Sequence, residues 1–103
     1  MPIRPISREQ FDALQPTIKP MTRLRVEERE WFADEAGSII GTITFDPAEE
    51  DWGWVILGRD ERGAFRLTQI ATRLPSHPEA RTQLRDAMSQ ISATSKNEFP
   101  HVA

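Results

Sequence analysis

Residues 51–67 read DWGWVILGRDERGAFRL, and this stretch decides the fold. An apolar run leads into Asp60-Glu61-Arg62-Gly63, and a second apolar run follows it. Such a motif is typical of a type I turn that ends in a residue at positive φ, which glycine adopts without a Cβ clash. The stretch therefore predicts a β-hairpin.

Residues 30–45, EWFADEAGSIIGTITF, repeat the pattern around Asp34-Glu35-Ala36-Gly37. This repetition predicts another hairpin of the same type. In chain order it is the first hairpin, and the one at residues 51–67 is the second. Two successive hairpins indicate a four-stranded antiparallel β-meander.

Two capping boxes predict helices on either side of the strands. Ser7 with Gln10 predicts a short N-terminal helix at about 7–15, and Ser76 with Glu79 a longer one at about 77–91. Apolar residues recur at helical spacing in the second segment: Ala80, Leu84, Ala87, Met88 and Ile91. The predicted fold class is α+β: the meander, a C-terminal amphipathic helix packed on one face, and a short N-terminal helix. Residues 1–92 form one domain, with an extended linker at 16–22 and a flexible tail at 93–103.

The turn type predicts a register in each hairpin. In the second hairpin the opposed pairs are Asp60–Ala64, Leu57–Leu67, Val55–Gln69 and Trp54–Ile70. In the first hairpin they are Asp34–Ser38, Ala33–Ile39 and Trp31–Gly41.

Because strand side chains alternate, these registers sort the apolar residues into two faces. One face of the second hairpin carries Val55, Leu57, Phe65 and Leu67. We expect the C-terminal helix to cover that face, together with Trp31, Ile39 and Ile43. The opposite face carries Trp52, Trp54, Ile56 and Ile70.

This opposite face is the candidate binding surface. Tryptophan is enriched in binding hot spots, and an exposed apolar patch marks an interaction site. The face either binds a protein partner or a second copy of the chain, or lies beneath Phe11 and Leu14 of the N-terminal helix. Both alternatives are open at this point.

Composition limits the classes of function. The chain has 103 residues, no cysteine and a net charge of −3. It lacks the apolar runs of a signal peptide and of a membrane span, so we expect a cytoplasmic protein. The acidic balance disfavours nucleic-acid binding. An arginine cluster nevertheless provides the alternative function of a nucleic-acid-associated accessory protein: Arg59, Arg62, Arg66, Arg73, Arg81 and Arg85.

No pattern of catalytic, metal-binding or cofactor-binding residues is legible, so we expect a non-enzymatic protein without cofactors. His77 and His101 are isolated in the sequence. The acidic loop Asp46, Glu49, Glu50 and Asp51 lacks the calcium-loop spacing and is interpreted as a solvated turn.

The segments WFADEAGSIIG and DWGWVILGRDERGAFR, followed by a helix that opens S-x-x-E and carries Ala80-Arg81, resemble a group of short uncharacterised bacterial proteins. The resemblance covers roughly residues 29–88. That group has no assigned activity, so the resemblance implies a shared domain and no particular chemistry.

Overall fold

The computed structural model describes residues 3–14 and 27–102, with side chains described up to Ile91. The elements in chain order are β1 (Arg4–Ile6), α1 (Arg8–Leu14), β2 (Glu27–Ala33), β3 (Ile39–Asp46), β4 (Asp51–Arg59), β5 (Phe65–Leu74) and α2 (His77–Val102). The linker predicted at 16–22 lies outside the described residues.

The strands form one antiparallel sheet in the order β1-β2-β3-β4-β5. The α+β class with two helices is confirmed, but the described sheet has five strands rather than four. The additional strand, β1, pairs Pro5 with Phe32 of β2. Its sequence, Arg-Pro-Ile, is too short to show strand alternation, and proline is unfavourable in strands. Only pairing with β2 makes it a strand.

Both helices begin at the predicted caps. At α1 the Ser7 Oγ accepts a hydrogen bond from the backbone N–H of Gln10 at 3.1 Å, and the Gln10 Oε1 accepts one from the backbone N–H of Ser7 at 2.9 Å. At α2 the Ser76 Oγ accepts from the Glu79 amide at 3.3 Å. The described backbone of α2 continues to Val102, past the predicted end near residue 91.

Glycine ends both hairpin turns at positive φ, with Gly37 at 70° and Gly63 at 82°. In the second hairpin the predicted pairing is confirmed next to the turn, since the Asp60 amide donates to the Ala64 carbonyl at 2.8 Å. In the first hairpin the predicted register is wrong by one residue. The Asp34 amide donates to the Ile39 carbonyl instead.

The shift in the first hairpin follows from the Asp34 side chain. Its Oδ1 accepts from the amides of Ser38 and Ile39, at 2.8 and 3.2 Å, which holds one more residue in the loop. Phe32, rather than Trp31, therefore lies opposite Gly41.

A β-bulge changes the register of the second hairpin. Leu57 lies opposite Leu67 as predicted, but the next pair is Ile56–Gln69, which leaves Thr68 as the extra residue. Beyond the bulge the predicted pairs are wrong, because Val55 lies opposite Ile70 and Trp54 opposite Ala71.

Each helix covers one face of the sheet. The α2 face is the one beneath α2, and the residues packed together there are Phe32, Ile43, Trp54 and Ile56 with Ala80, Leu84 and Met88. The α1 face is the other, where Phe11 packs with Ala33, Ile40, Val55, Leu57 and Phe65. The expectation that the C-terminal helix covers Val55, Leu57, Phe65, Leu67 and Trp31 is therefore wrong, because α2 lies on the opposite side. Ile39 and Ile43 do pack beneath α2, as expected.

Gly41 explains how α2 lies so close to the sheet. A Cβ on this residue would lie 2.8 Å from the Met88 Sδ and 2.9 Å from the Leu84 Cδ1. These separations are shorter than van der Waals contact, so a larger residue would push α2 away from β3. The missing side chain in the middle of β3 gives Leu84 and Met88 the space in which they are fully buried.

Candidate interaction surface

The two tryptophans of β4 have different surroundings. Trp54 is 7% exposed, and its Nε1 donates to the Gln83 Oε1 of α2 at 3.4 Å. Ile56 is fully buried in the same cluster. Both residues therefore lie beneath α2, rather than beneath α1 or on a surface open to a partner.

Trp52 lies at the rim of the α2 face and is half-buried. Its ring is stacked on the His77 ring, with centroids 4.4 Å apart and an angle of 4° between the planes. The Phe45 ring packs against it at 4.9 Å in a tilted arrangement. Trp52 thus attaches the first residue of α2 to the end of the sheet.

Polar contacts to Glu30 of β2 strengthen this attachment. The His77 Nε2 is hydrogen-bonded to the Glu30 carboxylate. Arg81 donates to the same carboxylate oxygen through Nη2 at 2.9 Å and Nε at 3.1 Å. This cluster was not predicted, because Glu30 and His77 are distant in the chain. The only local signal was a histidine and an arginine four positions apart on one helix face.

Ile70 and Leu67 are the exposed large apolar residues of the described chain, at 47% and 57%. Since residues directly opposite share a face, Ile70 lies on the α1 face with Val55, and Leu67 lies there with Leu57. Ile70 was expected to share a face with Trp54, and that expectation is wrong. The Thr68 bulge places Leu67 and Ile70 side by side, although they are three positions apart.

The turn that precedes β5 is held by the Asp60 carboxylate. Asp60 accepts from the Arg66 Nε at 2.6 Å and from the backbone amides of Ala64 and Arg62 at 3.0 and 2.9 Å. The hydrogen bond from Arg66, supported by those from the two amides, holds the pKa of Asp60 below its ordinary value of 3.8, although partial desolvation opposes the shift.

The arginines of the alternative hypothesis do not form one patch. Arg59 donates to the carbonyls of Gly37 and Gly63 and so joins the two hairpin turns. Arg81 is paired with Glu30, and Arg85 donates to the Ile3 carbonyl at 3.2 Å.

Two further members of the set lie at opposite ends of β5. Arg66 is near its start and Arg73 near its end. The strand separates them by roughly 20 Å at about 3.3 Å per residue. Arg62 belongs to the turn before β5. Arg59, Arg62 and Arg66 thus lie around the second turn, but Arg59 packs on the Phe65 ring of the α1 face whereas Arg66, opposite Gly58, lies on the α2 face. The other three arginines lie elsewhere.

The acidic loop forms a turn between β3 and β4, as predicted. The Asp46 Oδ1 accepts from the amides of Ala48 and Glu49, at 2.9 and 3.3 Å. The loop borders a cleft of about 560 Å³ lined by Thr44, Asp46, Glu49, Asp51, Trp52, Gly53, Thr72 and Arg73. Within the described residues, acidic and histidine side chains form no group of three or more that could hold a metal ion.

Comparison of the chain with protein-family models, with curated proteins and with solved structures finds no match. The resemblance to the bacterial group therefore stays a prediction. Neither helix combines, in its described part, the length and the apolarity that crossing a membrane requires.

Proposed function

We propose that this protein is a non-enzymatic interaction module that binds a protein partner along the outer edge of β5. One observation carries the proposal: Leu67 and Ile70 lie exposed and side by side on the strand that ends the described sheet. The proposed partner-binding residues are therefore Leu67 and Ile70. Ile70 is kept from the predicted set, Leu67 is added, and Trp52, Trp54 and Ile56 are left out.

The backbone of β5 supports this choice. β5 is the longest described strand, with 10 residues, and it pairs with β4 on one side only. An edge strand presents unpaired N–H and C=O groups, to which an extended segment of another chain adds as a further strand. Main-chain hydrogen bonds then provide affinity, and side chains such as Leu67 and Ile70 provide specificity.

The opposite edge of the sheet is much less suited to this role. β1 has only three residues, and one of them, Pro5, has no amide hydrogen to donate. Natural sheets use short strands and prolines of this kind to prevent pairing at an edge. In the described sheet, β5 is thus the edge that is able to accept a partner strand.

The free energies of burial, association and hydrogen bonding indicate which interactions would hold such a complex together. Full burial of a leucine or isoleucine side chain contributes about 1.5–3 kcal/mol. Leu67 and Ile70 are half-exposed, so covering both contributes about 2–3 kcal/mol in total. Association itself costs at least about 4 kcal/mol. The apolar pair alone is therefore insufficient, and the main-chain hydrogen bonds, at about 1 kcal/mol each, are essential to the proposal.

The test compares the wild-type chain with the double variant Leu67→Glu/Ile70→Glu. The control is Thr82→Glu/Gln90→Glu, which adds the same charge at exposed positions of α2. Sedimentation over a range of concentrations measures self-association. Complexes with proteins of the native cell are recovered in parallel and are counted only when they re-form from two purified components.

We expect the wild type and the control to form a complex, and the β5 variant to lose it while its circular dichroism spectrum is unchanged. The proposal is overturned if no complex forms in either assay. It is equally overturned if a complex survives the two glutamates on β5.

A further inference from the structure

We infer that the partner at β5 is a second copy of this chain, joined by antiparallel pairing of the two β5 strands about a two-fold axis. The inference rests on the proposed function, because both use the same edge. It goes further by naming the partner and the alignment of the strands.

The alignment follows from the position of the two exposed apolar residues. A two-fold axis perpendicular to the sheet reverses the strand and keeps each face on the same side. With the axis between Thr68 and Gln69, Leu67 lies opposite Ile70 of the partner subunit, and Ile70 opposite Leu67 of the partner subunit. Four apolar side chains then form one row on the α1 faces of the two sheets.

The Thr68 bulge is what makes this row continuous. In a regular strand, residues three positions apart point to opposite faces. The extra residue in β5 places Leu67 and Ile70 on the same face, opposite Leu57 and Val55 of β4. A single strand therefore carries a self-complementary pair of apolar side chains.

Charge on β5 favours the same alignment. With Leu67 opposite Ile70, Arg66 lies opposite Ala71 of the partner subunit, while Arg73, at positive φ beside a second register shift of β5, lies beyond the end of the paired segment. Sliding the strands by two residues would place Arg66 opposite Arg73 of the partner subunit, and this pair would occur twice. Like charges directly opposite are destabilising. The arginines therefore oppose the alignment shifted in this direction and permit the apolar one.

The absence of cysteine from the sequence makes a direct experiment available. Two single variants of the full chain, Leu67→Cys and Ile70→Cys, are mixed in equal amounts and oxidised mildly. Both positions are exposed, so the fold is retained, and circular dichroism verifies this. The proportions of mixed and like disulfides are then measured by mass spectrometry. A second mixture, of Arg66→Cys with Arg73→Cys, tests the alignment shifted by two residues.

We expect the mixed disulfide between positions 67 and 70 to exceed both like disulfides several-fold. Directly opposite Cα atoms lie about 5 Å apart. Like positions are offset by three residues, about 10 Å, which is beyond the reach of a disulfide. The mixture of Arg66→Cys with Arg73→Cys is expected to give little mixed product.

The outcomes separate this inference from the proposed function. A wild type that stays monomeric, yet forms a reconstituted complex with another protein that Leu67→Glu/Ile70→Glu abolishes, overturns the second copy and leaves the proposed function standing. A dimer without the 67–70 disulfide overturns the alignment. A dimer that is unaffected by the β5 glutamates overturns both.

Discussion

At the scale of single residues, Gly41 sets the separation between α2 and the sheet. We expect Gly41→Ala to destabilise the protein by about 1–3 kcal/mol in urea unfolding, because the added methyl group would overlap the ends of Met88 and Leu84.

The matched experiment on Gly41 is a double-mutant cycle with Met88→Ala. Shortening Met88 removes the atom nearest to the added methyl group, so the double variant is expected to lose less stability than the sum of the single losses. Strict additivity would mean that α2 does not rest on β3 at this position.

The Asp60 carboxylate makes stability depend on pH. Its folded-state pKa is lowered, so its contribution is fully present above its unfolded value and is lost as pH falls through the folded pKa. We expect the urea midpoint of the wild type to fall between about pH 6 and pH 3 by more than that of Asp60→Asn.

Glu61→Gln is the control for this pH dependence. It removes a carboxylate from the same turn but leaves the hydrogen bonds of Asp60 in place. Its urea midpoint is expected to follow the wild type across the acid range. If Asp60→Asn and Glu61→Gln behave alike, Asp60 has no special role in acid sensitivity.

At the scale of elements, the position of α2 determines which leucines are buried and which are exposed. Leu84→Ala is expected to cost about 2–5 kcal/mol, since Leu84 is fully buried against the sheet. Leu67→Ala, an identical change on β5, is expected to stay within about 0.5 kcal/mol when stability is measured on the monomer at low concentration. Equal losses in urea unfolding would contradict the assignment of α2 to the Trp54 side of the sheet.

Local sequence signals predicted the elements well but not how they are arranged. The capping residues Ser7 and Ser76 marked the helix starts, and Gly37 and Gly63 marked the turns. These signals depend on contacts within a few residues. The Thr68 bulge has no such local signal, and its insertion moved Ile70 to the other face.

The prediction of which helix covers which face of the sheet was wrong for a different reason. Because β4 carries apolar residues on both faces, its own sequence does not indicate which helix covers which face. Gly41 was predicted to lie opposite Trp31, whereas it lies opposite Phe32 and accommodates Leu84 and Met88. The candidate surface therefore keeps Ile70, gains Leu67 and loses Trp52, Trp54 and Ile56.

At the scale of the whole molecule, salt distinguishes the proposed role from the nucleic-acid alternative. Association through Leu67 and Ile70 is expected to persist or tighten as sodium sulfate is added, because excluded salts strengthen apolar burial. Binding to phosphate backbones through the arginines would weaken steeply with salt. Sedimentation of the wild type across a salt series measures self-association. Fluorescence polarisation of a labelled DNA duplex across the same series measures nucleic-acid binding. A salt-sensitive complex with the duplex and a salt-independent monomer would support the alternative.

The three-residue strand β1 determines how large such an assembly becomes. A sheet in which both edge strands could pair would add copies of the chain at both edges, and the result would be an open fibre rather than a closed particle. Pro5 and the shortness of β1 prevent strand pairing at the β1 edge. The proposed pairing through β5 would then occupy the remaining edge of each copy. Growth is then expected to stop at a continuous sheet of ten described strands, twice the five of one chain, rather than to continue as a fibre.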